Sequence, residues 1–331
     1  MSGVPEVGPE RTVKSVNLAL SWVSETLGPP TRWEKIVLLL LRSSLIQRAF
    51  NRRVADAYLV YNEDGSIKAS LALPSRHADD AFNLLSLLGD YALFDGARVL
   101  DVGCGDGSKS AIVASLGTES VVGVDTDPER IRRARARAAS LKMSNLHFEV
   151  VHDYRFPAAA GEFDLVLLLN VMEHADDPAR LLEECGRVLK PDGFLLNVFK
   201  TWKSPRGSHI TDWVYIPWNH LLFPERDLVR VLKRMSKSNP FIEYNYPALA
   251  SNPLPEDLVA LADGGLNRLT LKEYLTLIEG IKLEVEDLRL TGYGYGSRFW
   301  LIRAISHLSR IPVIREYLGG WVVTVLRHSP S

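Results

Sequence analysis

Cysteine is scarce in this chain: 331 residues contain only Cys104 and Cys185, which form no CxxC spacing and no cluster with histidine. That count argues against a disulfide framework and a structural zinc site, and it fits a reducing, cytoplasmic compartment. An excess of one charge is missing as well. Lys+Arg at 39 against Asp+Glu at 40 leaves a formal net charge of -1, so no global field draws the protein onto a phosphate backbone and no nucleic-acid partner is expected. Long apolar runs are also absent. The longest purely aliphatic stretch, Ile36 to Leu41, is far shorter than the ~20 residues of a membrane-spanning helix. The opening MSGVPEVGPE is acidic and turn-rich, unlike a secretory leader. A soluble protein is expected, without internal repeats or low-complexity tracts.

What the chain does have is a sequence of changes in hydrophobic period. Residues 13 to 53 hold two helical patterns, the second from Trp33 to Arg53, where Ile36, Leu39, Leu40 and Ile46 lie among Lys35, Arg42, Arg48, Arg52 and Arg53. Such a helix packs on a core or lies on a membrane surface, and the first reading is preferred, with peripheral membrane contact left open. Tyr58 to Tyr61 and Ile67 to Leu73 flank Asn62-Glu63-Asp64-Gly65, the signature of a hairpin. Together these make an N-terminal extension over residues 1–78.

Residues 79–199 alternate helices with short, apolar strands. The pattern predicts helices at 79–91, 107–116, 128–141 and 177–188, and strands at 98–102, 120–125, 147–151, 164–169 and 194–199. Near-continuous apolar runs such as Phe163 to Leu169 suit strands buried on both faces, so the class is α/β and doubly wound. Residues 200–268 interrupt this with Trp202, Trp213, Tyr215, Trp218, Tyr244, Tyr246 and many prolines. Residues 269–331 return to a helix (270–279), a strand (282–290), a Gly/Tyr-rich turn, short helices and a last strand (321–327).

The segment that carries chemistry is Val99-Leu100-Asp101-Val102-Gly103-Cys104-Gly105-Asp106-Gly107, which follows a predicted strand and opens a predicted helix. Glycines at 103, 105 and 107 allow a tight strand-to-helix turn and let a ligand reach the backbone. Amides at the helix start can receive a carboxylate. Asp125 ends the next strand, placed to accept both hydroxyls of a ribose, and Thr126 follows it. A dinucleotide fingerprint, GxGxxG, would need glycine at position 108, where this chain has Ser108.

The stretch resembles motif I of the class I S-adenosylmethionine-dependent methyltransferases, in the type 11, quinone-biosynthesis-like branch. The resemblance continues through Asp153, Asn170-Val171-Met172-Glu173-His174, Asp177-Pro178 and Arg187-Val188-Leu189-Lys190-Pro191-Asp192-Gly193. It implies a Rossmann-like, seven-stranded, mostly parallel sheet with helices on both faces and an antiparallel last strand. It also implies S-adenosyl-L-methionine as cofactor, with Asp101 holding the methionyl amine, Asp125 the ribose, Asp153 the adenine amino group and Asn170 the methionine end. Cys104 fills the turn, and Tyr154 either covers the adenine or simply packs.

Candidates on the acceptor side are thinner. His174 is placed either as a general base or as a helix-terminus hydrogen-bonding group. Some relatives that methylate quinol precursors hold a metal through ExxEH here, but Asn170 stands where the first glutamate would be, so no metal is expected. His209, Asp212, Tyr215 and His220 form a second set within the 200–268 insertion, which leaves strand five at the edge where ligands of such folds bind, and which is read as a lid over a small-molecule, sugar or lipid-like acceptor. O-methylation is favoured, with a nicotinamide oxidoreductase or a non-catalytic protein retaining the fold as alternatives. The Asn/Asp-Pro-Pro-aromatic run of base-flipping relatives is absent, and nothing in the sequence bears on oligomeric state.

Overall fold

A strand that is apolar on both faces is stable only between two layers of helices. The computed structural model, which describes residues 29–41, 93–214, 216–236, 265–281, 283–292 and 314–329, shows this at the centre of the chain. Strand β4 (Phe163–Leu169) is buried at all but one position. It lies between β1 (Arg98–Val102) and β5 (Leu189–Phe199) in a seven-stranded sheet ordered β3-β2-β1-β4-β5-β7-β6. The other strands are β2 (Ser120–Asp125), β3 (Leu146–Val150), β6 (Leu283–Gly292) and β7 (Gly319–His328). Strands β1 to β5 pair in parallel, whereas β7 runs antiparallel to both β5 and β6. This is the Rossmann-like α/β sheet that the alternating pattern and the resemblance led one to expect.

Successive residues of a strand face opposite ways, and the core follows that rule. Val99, Leu165 and Leu167 join one apolar cluster, with Ala111, Ile131 and Ala134 from the helices Ser108–Ala114 and Pro128–Leu141. Leu100, Val166 and Leu168 join the opposite cluster, with Leu181, Leu182 and Cys185 from Pro178–Val188 and Tyr274 from Leu271–Glu279. Helices therefore cover both faces. Their starts are set locally: Asp127 and Asp177 accept backbone N–H groups of the first turns, each followed by proline at the first helical position, and Thr270 forms a reciprocal capping box with Glu273. The Tyr274 hydroxyl, fully buried, receives a hydrogen bond from Asn197 at 2.8 Å and meets Thr324 Oγ1 at 2.5 Å, tying helix Leu271–Glu279 to β5 and β7.

One local expectation needs adjustment. The pattern predicts a helix to 188 and a strand only from 194, but β5 starts directly after the helix, at Leu189, and takes up the extra residues as a bulge. Phe163 pairs with Leu189 while Leu165 pairs with Phe194. Lys190 Nζ donates to Asp164 at 2.6 Å across the bulge, and a Cβ on Gly193 would stand 2.9 Å from the Asp164 carbonyl oxygen, so glycine is needed there.

The described residues divide into two compact units. The sheet and its helices form one. The other contains helix Arg32–Leu41 together with Thr211–Val214, Asn219–Leu222 and Glu225–Ser236. Its core is built from Val37, Leu41, Ile210, Val214, Leu228, Val231 and Leu232. The first helix does not bury the face carrying Leu39 and Leu40, which are 69% and 38% exposed; Glu34, Val37 and Leu41 turn inward instead. Glutamate can enter because Arg230 and Arg234 both donate to its carboxylate, the latter at 2.6 Å. Burial works to raise this carboxyl, but the two arginines outweigh it and hold Glu34 below its ordinary value.

The remainder of the 13–53 helical region, the 58–73 hairpin, helix 79–91, Tyr215, the aromatic stretch with Tyr244 and Tyr246, and the Gly/Tyr-rich turn lie outside the described residues. Among the described residues no helix is long and apolar enough to cross a membrane.

Candidate functional site

The sheet reverses its winding direction between β1 and β4, and in open α/β sheets the crevice outside the carboxyl ends of strands at such a point is where ligands bind. The glycine turn after β1 forms one wall. Gly103, Gly105 and Gly107 all have left-handed backbone, with φ of 66°, 59° and 75°. The three differ in what surrounds them. A Cβ on Gly103 would come within 2.5 Å of Val171 Cγ2, and one on Gly107 within 2.5 Å of Phe148 Cζ, so these two let neighbouring elements close in. At Gly105 no atom of the described residues lies within 4 Å of that position, which leaves the backbone open to a ligand. Between them Cys104 is buried, its N–H donating to the Val124 carbonyl at 3.0 Å and its thiol pushed up by burial.

Two carboxylates frame this turn. Asp125, at the end of β2, accepts Gly105 N–H through Oδ2 at 2.9 Å and Asp127 N–H through Oδ1 at 3.0 Å. A carboxylate has about four acceptor sites, so capacity remains for further donors. Thr126 beside it is exposed. Asp101, in β1, is 2% exposed and accepts the Ser110 hydroxyl at 2.5 Å. Burial pushes its carboxyl up to about 6, opposed by the Ser110 hydrogen bond and the nearby Lys109 ammonium and reinforced by the Asp125 charge. Lys109 is half-buried and donates to the Leu169 carbonyl at 3.3 Å; burial lowers its pKa while Asp101, Glu173 and Asp106 favour its charge.

The tips of β3 and β4 supply the remaining candidates. Asp153 and Tyr154 are both left-handed, at φ of 54° and 55°, inside a four-residue turn closed by Arg155 N–H donating to the His152 carbonyl. This is the positive-φ requirement of a type I′ turn. Asp153 is exposed. Tyr154 does more than pack: its hydroxyl accepts the N–H groups of Asp176 at 2.7 Å and Asp177 at 3.2 Å, joining the β3 tip to the start of helix Pro178–Val188. Asn170 is also left-handed, at φ of 65°, and its Oδ1 is buried without a hydrogen-bond partner among the described residues. It leads into a short 3-10 turn, Met172–His174, in which Glu173 is buried and His174 half-buried.

His209 and His220 belong to the other compact unit, His209 half-buried and His220 buried in the short helix Asn219–Leu222. Asp212 falls in helix Thr211–Val214 and Tyr215 outside the described residues. The structure thus gathers the cofactor-side candidates at one sheet edge within one unit, whereas the acceptor-side histidines are divided between the two units. Among the described residues no group of three or more His, Cys, Asp or Glu side chains is arranged to hold a metal. Lys109, Ser110 and Asn267 were not singled out in the sequence. Their helix-face and loop positions resemble ordinary surface residues until the fold brings Lys109 to the Leu169 carbonyl, Ser110 to Asp101 and Asn267 to the Met172–Ala175 turn.

A methyltransferase-domain family model matches residues 100–197. The ubiquinone biosynthesis O-methyltransferase of Neisseria meningitidis (serogroup A, strain Z2491) is 31% identical over 147 residues, covering 39% of this chain, and the chain spans 61% of that protein's length. The protein of the same name from Caulobacter sp. (strain K31) is 35% identical over 184 residues, covering 53% of this chain and 71% of the relative. Among solved structures, an S-adenosylmethionine-dependent methyltransferase from Mesorhizobium loti matches with a TM-score of 0.44 and 16% identity, over 76% of this chain and 96% of the other. On the strength of the family model and the Caulobacter relative, this chain belongs to the class I S-adenosylmethionine-dependent methyltransferase family.

Proposed function

We propose that the chain binds S-adenosyl-L-methionine in the crevice beyond β1, β2 and β4 and transfers its methyl group to an oxygen of a small-molecule or lipid-like acceptor. The observation that carries this reading is the bond between Asp125 and the Gly105 amide at 2.9 Å. It sets a carboxylate with spare acceptor capacity beside a backbone that has open space in front of it, the pairing that a ribose and its neighbouring groups require. The residues fit the cofactor in two further ways. Asn170 Oδ1 is a buried acceptor without a partner among the described residues, which is costly unless a ligand donor completes it. Asp101, buried in β1 two residues before the same turn, offers a carboxylate for an ammonium group.

Bound there, the cofactor supplies a methyl carbon made electrophilic by its sulfonium. The chain's contribution is then alignment and exclusion of water, with a base needed only for an acceptor hydroxyl of high pKa. His174, on the turn after β4, is our candidate within the core for taking that proton, and His209 and His220 are the alternatives. Oxygen is favoured because both relatives described above are named O-methyltransferases. Acceptor choice is assigned to residues 200–268, which leave β5 at its carboxyl end and carry several large aromatic residues. Calorimetric titration with S-adenosylhomocysteine tests the reading: micromolar binding is expected, and tighter binding of NADH, or none of either, would refute it.

A further inference from the structure

Asn267 is the first residue of the sheet unit after residues 205–266, and its side-chain amide nitrogen is spent on the turn that follows β4. Its Nδ2 donates to the carbonyls of Met172 at 2.8 Å and Ala175 at 2.9 Å, and its backbone N–H donates to the Glu173 carbonyl at 2.9 Å. Its Oδ1 accepts the Leu269 N–H at 3.0 Å, which fixes the amide orientation. Three carbonyls of one short turn are thus held by a residue that is 95 positions from Met172 in sequence. Within the turn, His174 N–H donates to Val171 at 2.8 Å and Ala175 N–H to Met172 at a long 3.4 Å, and Met172 and Ala175 pack into the core. A run of three 3-10 residues is short and its hydrogen-bond geometry poor, so the clamp adds to what fixes its shape. The clamp is anchored in turn, since Trp202 N–H donates to the Leu269 carbonyl at 3.0 Å, binding the segment after β5 to the segment that returns.

We infer that Asn267 is a positioning residue that holds the Met172–Ala175 turn, and with it Glu173 and His174, at the cofactor edge of the sheet. The inference rests on the cofactor reading above for its functional meaning and on the four hydrogen bonds for its geometry. It touches neither cofactor nor acceptor in this account. Its effect passes through the turn.

The test uses the full-length protein with 13C-labelled histidine, the His174 signal being identified by its loss in His174→Gln. In Asn267→Ala the His174 ring resonance is expected to move and S-adenosylhomocysteine affinity to fall about fivefold or more, as loss of positioning hydrogen bonds implies. Asn267→Asp keeps the acceptor for Leu269 but lacks the two side-chain donors, and serves if the alanine variant does not fold. Thr270→Ala is the control, because it removes the cap of the next helix without touching the turn; it is expected to alter neither readout. An unmoved His174 signal in the Asn267 variants, or an equal displacement in Thr270→Ala, would overturn the inference. Unchanged affinity in a variant whose His174 signal has moved would overturn its functional half. If the unaltered protein binds no S-adenosylhomocysteine, the cofactor reading fails, while the resonance comparison still decides whether Asn267 sets the turn.

Discussion

Asp125 and Gly105, twenty residues apart, are joined by a hydrogen bond of 2.9 Å from the glycine amide to the aspartate carboxylate. The bond ties the β2 tip to the glycine turn. Replacing Asp125 with asparagine keeps one acceptor for that amide but removes the charge. Hydrogen bonds to charged groups contribute roughly 1.5 to 3 kcal/mol, so S-adenosylhomocysteine affinity should drop about tenfold or more. Calorimetry on a variant with an unchanged melting temperature is the measurement, and full affinity there would remove Asp125 from the binding account.

Asp101 predicts a pH dependence. Its carboxyl, at about 6 in the folded chain against an ordinary 3.8, binds a proton in the folded state that the unfolded state has released between those values. Stability therefore falls as pH rises from about 4 to 6, by roughly 3 kcal/mol, and the loss persists at neutral pH. Asp101→Asn, which can still accept from Ser110, should melt higher than the parent at pH 7.5 and lose this slope. The same substitution should weaken S-adenosylhomocysteine binding, and the parent's own binding should weaken as pH falls through about 6. A variant that binds as tightly as the parent would show that Asp101 does not serve the ligand, and one that keeps the parent's slope of stability between pH 4 and 6 would show that the slope has another source.

The sheet was legible in the sequence because strands buried on both faces, such as Phe163–Leu169, cannot hide their composition. The glycine turn and Asp125 were legible because their spacing is tied to a local strand-turn-helix unit. Glu34 was not legible. Its helix was read from its leucines, but the residues that neutralise it, Arg230 and Arg234, lie 196 and 200 positions away, and nothing local distinguishes a glutamate that will be paired from one that faces water. Asn267 escaped for the same reason, its partners being the carbonyls of a turn from a distant part of the chain. The role of Tyr154 was left open at a choice between stacking and packing, and its hydroxyl is in fact engaged by two backbone amides.

Glu34 itself should be sensitive to substitution. Glu34→Gln leaves the nearly buried Arg234 and the partly buried Arg230 facing a neutral amide, and breaking a buried pair by removing one partner costs about 3 to 5 kcal/mol. Because the Glu34 carboxyl is held low, its stabilisation is present above its unfolded value and lost as pH falls through the folded one. Limited proteolysis should cut within Arg32–Leu41 and Glu225–Ser236 sooner in the variant, while cuts within β1 to β5 keep their parent rate. Equal protection of both helices would mean that the apolar residues alone hold this unit together.

Gly105 and Gly107 offer the sharpest separation of ligand binding from folding, because the same substitution meets different surroundings two residues apart. Both have positive φ, so alanine costs roughly 1 to 2 kcal/mol of backbone strain at either position. At Gly107 the new methyl would also stand 2.5 Å from Phe148 Cζ and 3.0 Å from Ala134 Cβ, inside the core that seats helix Ser108–Ala114. Overpacking of this kind adds about 1 to 3 kcal/mol, so Gly107→Ala should melt well below the parent. At Gly105 the methyl meets no atom of the described residues within 4 Å, and the fold should lose only the strain. The space it enters is where the proposed ligand approaches the backbone, so Gly105→Ala should bind S-adenosylhomocysteine at least tenfold more weakly, roughly 1.4 kcal/mol. Melting curves and calorimetry on the two variants decide the matter. A Gly105→Ala protein that folds and binds like the parent would place the ligand elsewhere than in front of this turn.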